Sequence, residues 1–193
     1  MRSRRATSLV IPCLLVAMQA PAAVDGGLDA VMQSMAARPH GHAVFTESQY
    51  LALLKTRLES SGDLYFRFPD HLEKVTRRPA PESLVIDSGT LTVTRGKMHH
   101  TVALAAYPQL AVFIDSIRAT LAGDRAALER SFTLQFAADG PHWTLSLTPR
   151  DAKLAALVRQ IRIDGSGDAI STVETLRADG DRSVMVITPV SDG

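Results

Sequence analysis

The sequence predicts a mainly β fold of the α+β kind, with about ten or eleven antiparallel strands in one large sheet and a few helices on its apolar face. Three observations point there. Apolar and polar side chains alternate along most of the chain, which is the period of a half-buried strand. Short glycine-containing turns recur between these segments, as hairpins require. Helical spacing is confined to a few stretches, the longest in the middle of the chain.

Taken in order, Leu28 to Ala37 places Leu28, Val31, Met32 and Met35 on one side of a short helix, and Arg38-Pro39 ends it. Period two then takes over. Leu64, Phe66 and Phe68 share one face while Tyr65 and Arg67 share the other, with turns expected at Ser61-Gly62-Asp63 and Pro69-Asp70. Asp87-Ser88-Gly89 separates a strand at Ser83–Ile86 from one at Thr90–Arg95, and Arg95-Gly96-Lys97 separates the latter from Met98–Leu104. Leu91 and Val93 face one way, Thr90, Thr92 and Thr94 the other, so this is a meander with one apolar face.

The rhythm breaks after Tyr107-Pro108. Across Gln109 to Leu121, residues Leu110, Phe113, Ile114, Ile117 and Leu121 form one apolar stripe on an amphipathic helix that Gly123 ends. A second short helix is expected over Asp124–Arg130, and a turn or two over Asp151–Leu157 with Asp151 as its N-cap. Strands at Phe132–Ala137, His142–Leu147, Val158–Asp164, Ala169–Leu176 and Arg182–Thr188 complete the sheet, and Ser191-Asp192-Gly193 is expected to fray.

The N-terminus reads as an export signal. Arg2, Arg4 and Arg5 precede an apolar run from Ala6 to Ala17, and Ala20-Pro21-Ala22 supplies a small-x-small cleavage pattern, so the cut is expected after Ala22. The apolar run falls short of the roughly 20 residues that span a bilayer. Cys13, the single cysteine, lies in that run behind Val10-Ile11-Pro12, which is no lipoprotein box, and is expected to leave with it. Residues 23–193 are then one cysteine-free domain without disulfide or thiolate metal site, soluble in the periplasm. Without residues 1–22 the chain carries 18 Lys and Arg against 20 Asp and Glu, a net charge of −2, so nucleic acid is not an expected partner.

A twisted sheet of this size curls toward a barrel or half-barrel with its apolar face inside. The helices can plug that hollow as ordinary core, or lie over it as a lid above a lipid-sized cavity. Catalytic chemistry finds little support. His40 and His42 lack a third metal ligand, and His99 and His100 point to opposite faces. Asp179-Gly180-Asp181 lacks the further oxygens of a calcium loop, and no Gly-x-Ser-x-Gly elbow occurs. No catalytic residue, metal or cofactor is assigned.

Phe45-Thr46-Glu47, Gly62-Asp63-Leu64-Tyr65-Phe66-Arg67-Phe68-Pro69 and Glu82-Ser83-Leu84-Val85-Ile86-Asp87-Ser88-Gly89 resemble, in this order, the opening strands of LolA-type outer-membrane lipoprotein carriers. The strand Trp143-x-Leu145-x-Leu147-x-Pro149 and the hairpin at Asp179–Arg182 resemble the later part. Leu121-Ala122-Gly123-Asp124 and Gly180-Asp181-Arg182 are similar to a LolA-related branch. The resemblance implies an incomplete antiparallel barrel with a helical lid over an apolar cavity. It also implies a periplasmic carrier that shields the acyl chains of a lipid or lipoprotein between an inner-membrane exporter and an outer-membrane acceptor; the chain is expected to be a monomer and not an enzyme.

One position departs from the family. Where its carriers hold the lid with an arginine before the strand-ending proline, this chain has Phe68, with Arg67 one place earlier on the opposite face. The expected acyl-chain lining is Phe45, Leu64, Phe66, Phe68, Leu84, Ile86, Leu91 and Val93 from the sheet, faced by Phe113, Ile114 and Ile117 from the helix. The rival reading is an accessory subunit that docks an inner-membrane exporter and carries no cargo; a lipid-modifying hydrolase is a third.

Overall fold

Residues 25–190 are described by a computed structural model; the expected export segment with its cleavage point, and Ser191–Gly193, lie outside them. Helix α1 (Asp25–Ala36) leads into six strands: β1 (His40–Leu51), β2 (Thr56–Arg67), β3 (His71–Arg78), β4 (Glu82–Asp87), β5 (Thr90–Arg95) and β6 (Met98–Ala103). A 3-10 turn at Leu104–Ala106 and helices α2 (Pro108–Leu121) and α3 (Arg125–Ser131) follow. Five more strands end the fold: β7 (Phe132–Asp139), β8 (His142–Pro149), β9 (Val158–Ser166), β10 (Ala169–Arg177) and β11 (Arg182–Pro189), with helix α4 (Ala152–Ala155) between β8 and β9.

All eleven strands join one antiparallel sheet in the order β6-β5-β4-β3-β2-β1-β11-β10-β9-β8-β7. Two meanders are thus sewn together by β1 against β11, with Ala43–Tyr50 paired to Arg182–Pro189. The outermost strands β6 and β7 do not pair, so the sheet stays open, an incomplete barrel as expected. The chain crosses from one edge to the other through α2 and α3, which sets the helices beside the sheet.

Local chemistry accounts for most boundaries. The Asp124 side chain accepts from the Ala127 amide at the start of α3, and Asp151 accepts from Lys153 and Leu154 at the start of α4. Ser88 and Gly89 take positive φ in the β4–β5 turn. One expectation fails: Ser61-Gly62-Asp63 is no turn but the interior of β2, and the chain reverses earlier, at Ala52–Lys55. Gly62 has a packing role instead. It stands opposite Phe45, beside a register shift in β3, where a Cβ would lie 1.8 Å from the Val75 carbonyl oxygen.

Register fixes which side chains share a face. Leu145 and Leu147 pair with Ile163 and Ile161, Ile163 pairs with Val173, and Val173 with Met185. From Met185 the same face continues through Glu47 and Phe45 of β1 to Leu64 and Phe66 of β2. This inner face carries the core, but only on one side. Met32 and Met35 of α1, Ala119 of α2, Leu128 of α3 and Leu154 of α4 close over Trp143, Leu145, Leu147, Ile161 and Ile163, all buried. The main helical partners of α2 are α1, α3, α4 and the 3-10 turn. On the other side, every residue of β4 and the inner-facing Leu91 and Val93 of β5 are half-buried.

The two halves should therefore respond differently to truncation. Leu145→Ala, at 1 % exposure, is expected to cost ~2–5 kcal/mol as a cavity in packed core. Leu91→Ala should cost about 1 kcal/mol, because less apolar area leaves water there. Urea unfolding midpoints at unchanged slope check the difference.

Candidate functional site

The uncovered half of the inner face is built in transverse rows, one residue per strand. The first row runs Gly41, Phe66, Leu72, Ile86, Leu91 and Val102 from β1 to β6. The second runs Ala43, Leu64, Lys74, Leu84, Val93 and His100. Gly41 gives the Phe66 ring its place: a Cβ there would fall 2.3 Å from the ring. Phe68 follows on the same side and meets Phe66 edge to face, with ring centroids 6.0 Å apart.

Seven of the eight sheet residues expected to line a cavity, Leu64, Phe66, Phe68, Leu84, Ile86, Leu91 and Val93, are half-buried on this surface. The eighth, Phe45, shares the face but is buried at 2 % exposure. The helical set divides. Ile114 is buried, Phe113 packs against the covered core, and Ile117 is exposed at 38 %. Leu72 and Val102 complete the apolar row and were not anticipated; the alternation in β3 that would reveal Leu72 is interrupted on the same face by Lys74.

Helix α2 meets this surface at one end. Arg118 donates to the Pro69 carbonyl oxygen at 3.5 Å, and Phe66, Phe68, Leu72 and Leu121 surround a gap of about 10 Å³ there. Arg67, by contrast, lies on the opposite face, opposite His40 and His71, and is exposed. The surface is thus a trough, not an enclosed chamber.

Toward the far end the inner face turns polar. Lys74 reaches past the Phe45 ring, 4.9 Å from its centroid, to bind Glu47 at 2.5 Å, and Ser183 also donates to Glu47. Burial pushes the Glu47 carboxyl up, but the hydrogen bonds from Lys74, Ser183 and Ser60 and the Lys74 charge outweigh it, so its pKa lies below the usual value. Glu82 and Arg95 form a second ion pair on the neighbouring strands β4 and β5.

The opposite face holds a different cluster. Asp63, 2 % exposed, binds His42 at 3.0 Å and Arg77 at 2.7 Å, while His42 stacks on Tyr65 at 4.4 Å. Val44, Thr46, Val186, Thr188, Arg77 and Arg78 line a groove of about 390 Å³ beside it. Among the described residues no group of three or more His, Cys, Asp or Glu side chains is placed to hold a metal.

An open eleven-stranded antiparallel sheet with helices over part of its inner face is an incomplete-barrel architecture. The chain belongs to the outer membrane lipoprotein carrier protein LolA-like family, whose family model matches residues 18–191. A search of curated proteins returns no match. Among solved structures, a DUF1329 family protein from Desulfovibrio piger is 13 % identical, with 86 % of this chain and 91 % of that one covered at a TM-score of 0.50. A LolA superfamily protein from Nitrosomonas europaea is 9 % identical, with 86 % and 94 % covered at a TM-score of 0.42. The MucA/MucB complex of Pseudomonas aeruginosa matches at 12 % identity, with 86 % and 58 % covered at a TM-score of 0.48. At 13 % identity the Desulfovibrio piger likeness is one of fold.

The Glu47 pair gives a pH test. With its folded pKa lowered, the carboxylate adds stability above its ordinary value of 4.5, and that stability is lost as pH falls through the lower folded value. Glu47→Gln should reduce stability at pH 7 and flatten the acid decline, as read from urea midpoints across pH.

Proposed function

We propose that this protein carries an acyl chain of a lipid or lipoprotein in the trough formed by the inner face of β2–β6. One observation carries the reading: the apolar row Phe66, Leu72, Ile86, Leu91 and Val102 is left half-exposed on the same face that is sealed by helices at β7–β9. A soluble domain gains nothing in water from such a continuous apolar surface, and surfaces of this kind mark binding sites. Each methylene taken from water is worth about 0.8 kcal/mol, so a 16-carbon chain needs shielding on the order of 12 kcal/mol. A carrier must supply comparable apolar contact and still let go.

The change along the strands suits an amphiphile. Hydrocarbon would lie against Phe66, Leu84, Ile86, Leu91 and Val93, with Phe68 and Ile117 at the rim, while the ion pairs of Lys74 with Glu47 and of Arg95 with Glu82 stand at the polar end. Leu64 lies between these zones. Phe45 and Ile114 are buried and Phe113 packs against the covered core, so none of the three offers its side chain to the hydrocarbon as an open surface. The contacts offered are shape and apolar area, and no group takes a chemical step.

The setting belongs to the same proposal. Arg2, Arg4, Arg5 and the apolar run to Ala17 direct export, and family membership suggests a route from an inner-membrane donor toward an outer-membrane acceptor. No helix among the described residues is long and apolar enough to cross a membrane.

Native mass spectrometry of detergent-free protein from a periplasm, followed by lipid extraction, tests the reading. A stoichiometric acylated species is expected, lost in Ile86→Asp while the circular dichroism stays unchanged. A cargo-free mass, together with no binding of fluorescent fatty acid, contradicts it.

A further inference from the structure

The hairpin joining β1 to β2 outruns the sheet. Residues 56–60 of β2 pair with β1 alone, because β3 joins only at Ser61, and on the other side β11 follows β1 only to Tyr50. At the tip, Leu53 is 93 % exposed and Leu54 67 %. Leu58, 50 % exposed, and Tyr50, 40 % exposed, continue the apolar character along the two arms. Leucine side chains in a four-residue turn have no folding reason to be there, since turns favour Gly, Asn, Asp, Ser and Pro.

The tip is also held and charged. Asp181, in the turn between β10 and β11, accepts from the Ala52 amide at 2.9 Å and so holds the first residue of the tip, leaving Leu53 and Leu54 beyond it. The Lys55 and Arg57 side chains are exposed and make no hydrogen bond or ion pair among the described residues. Glu59, two residues closer to the body, is the exposed acid of the hairpin; Glu47 is already held by Lys74. Two bare leucines ahead of two free cations is the chemistry that enters the interface of an anionic bilayer. Such a small tip falls well short of the ~800 Å² per partner that a standard protein interface buries.

We propose that the Ala52–Lys55 tip is a membrane-docking wedge: Leu53 and Leu54 insert among the acyl chains of an anionic lipid surface while Lys55 and Arg57 bind its headgroups. The wedge lies at the opposite end of β2 from Phe66 and Phe68, so docking and the trough are separable.

Flotation of the exported protein with vesicles of phosphatidylglycerol and phosphatidylcholine in equal parts tests this. The unaltered protein should float with these vesicles and far less with phosphatidylcholine alone. Leu53→Asp/Leu54→Asp should lower the bound fraction on the order of tenfold, and Lys55→Glu/Arg57→Glu should lower it several-fold on anionic vesicles. Both variants should keep their circular dichroism and the fatty-acid titration of the unaltered protein, since Leu53 touches almost nothing. Absence of flotation by the unaltered protein overturns the proposal, as does equal flotation by the leucine variant or a tip shielded only by an added protein. Flotation without any fatty-acid binding would leave the wedge standing and remove the trough reading instead.

Discussion

An antiparallel sheet that curls without closing presents one broad apolar surface, and each side chain on it must be covered by something or left to water. Here the cover is limited: of the four α-helices among the described residues, two are seven residues or shorter, and all four contribute side chains to the core packed over β7–β9. In that core Phe132, Leu145 and Leu147 are each 1 % exposed. Among the described residues nothing of comparable size remains for β2–β6. The trough is thus the part of the inner face that the helices meet only at one end, where Leu121 of α2 stands beside Phe66, Phe68 and Leu72.

Such an arrangement is stable only if the covered half supports the uncovered one. The pairing of β1 with β11 does this, because it makes one hydrogen-bonded sheet from the two ends of the chain. Strands β2–β6 then need less side-chain burial of their own, since their backbone groups are satisfied by the ladder. Inner-face charges are handled in the same economical way: Lys74 extends its stem over apolar neighbours and places its ammonium on Glu47. The surface stays apolar where a chain would lie and paired where it would end.

Much of this was readable in the residues. The alternation at Leu64-Phe66-Phe68, the hairpin at Ser88-Gly89, the helix after Tyr107 and the Asp151 cap all follow from local chemistry and appear as expected, although Ile117 of the expected helical stripe is exposed. Gly62 misled because its neighbours Ser61 and Asp63 are turn formers, whereas the need for glycine came from a strand three-dimensionally adjacent to it. The division of the inner face was not legible. Trp143-x-Leu145-x-Leu147 and Leu91-x-Val93 carry the same alternating pattern, and only the docking of Met32, Leu128 and Leu154 makes the first core and leaves the second open. Equally silent was the exposure of Leu53 and Leu54, since an apolar residue in sequence says nothing of its burial.

Photo-crosslinking with a fatty acid bearing a terminal diazirine would read out whether the proposed acyl chain lies on β2–β6. After irradiation and digestion, the account predicts labelled peptides from β2 to β6, with Phe66, Leu72, Ile86 or Leu91 among the modified residues. Labels concentrated on the helices and β7–β9, or in the groove beside Val44 and Arg77 on the opposite face, would contradict it.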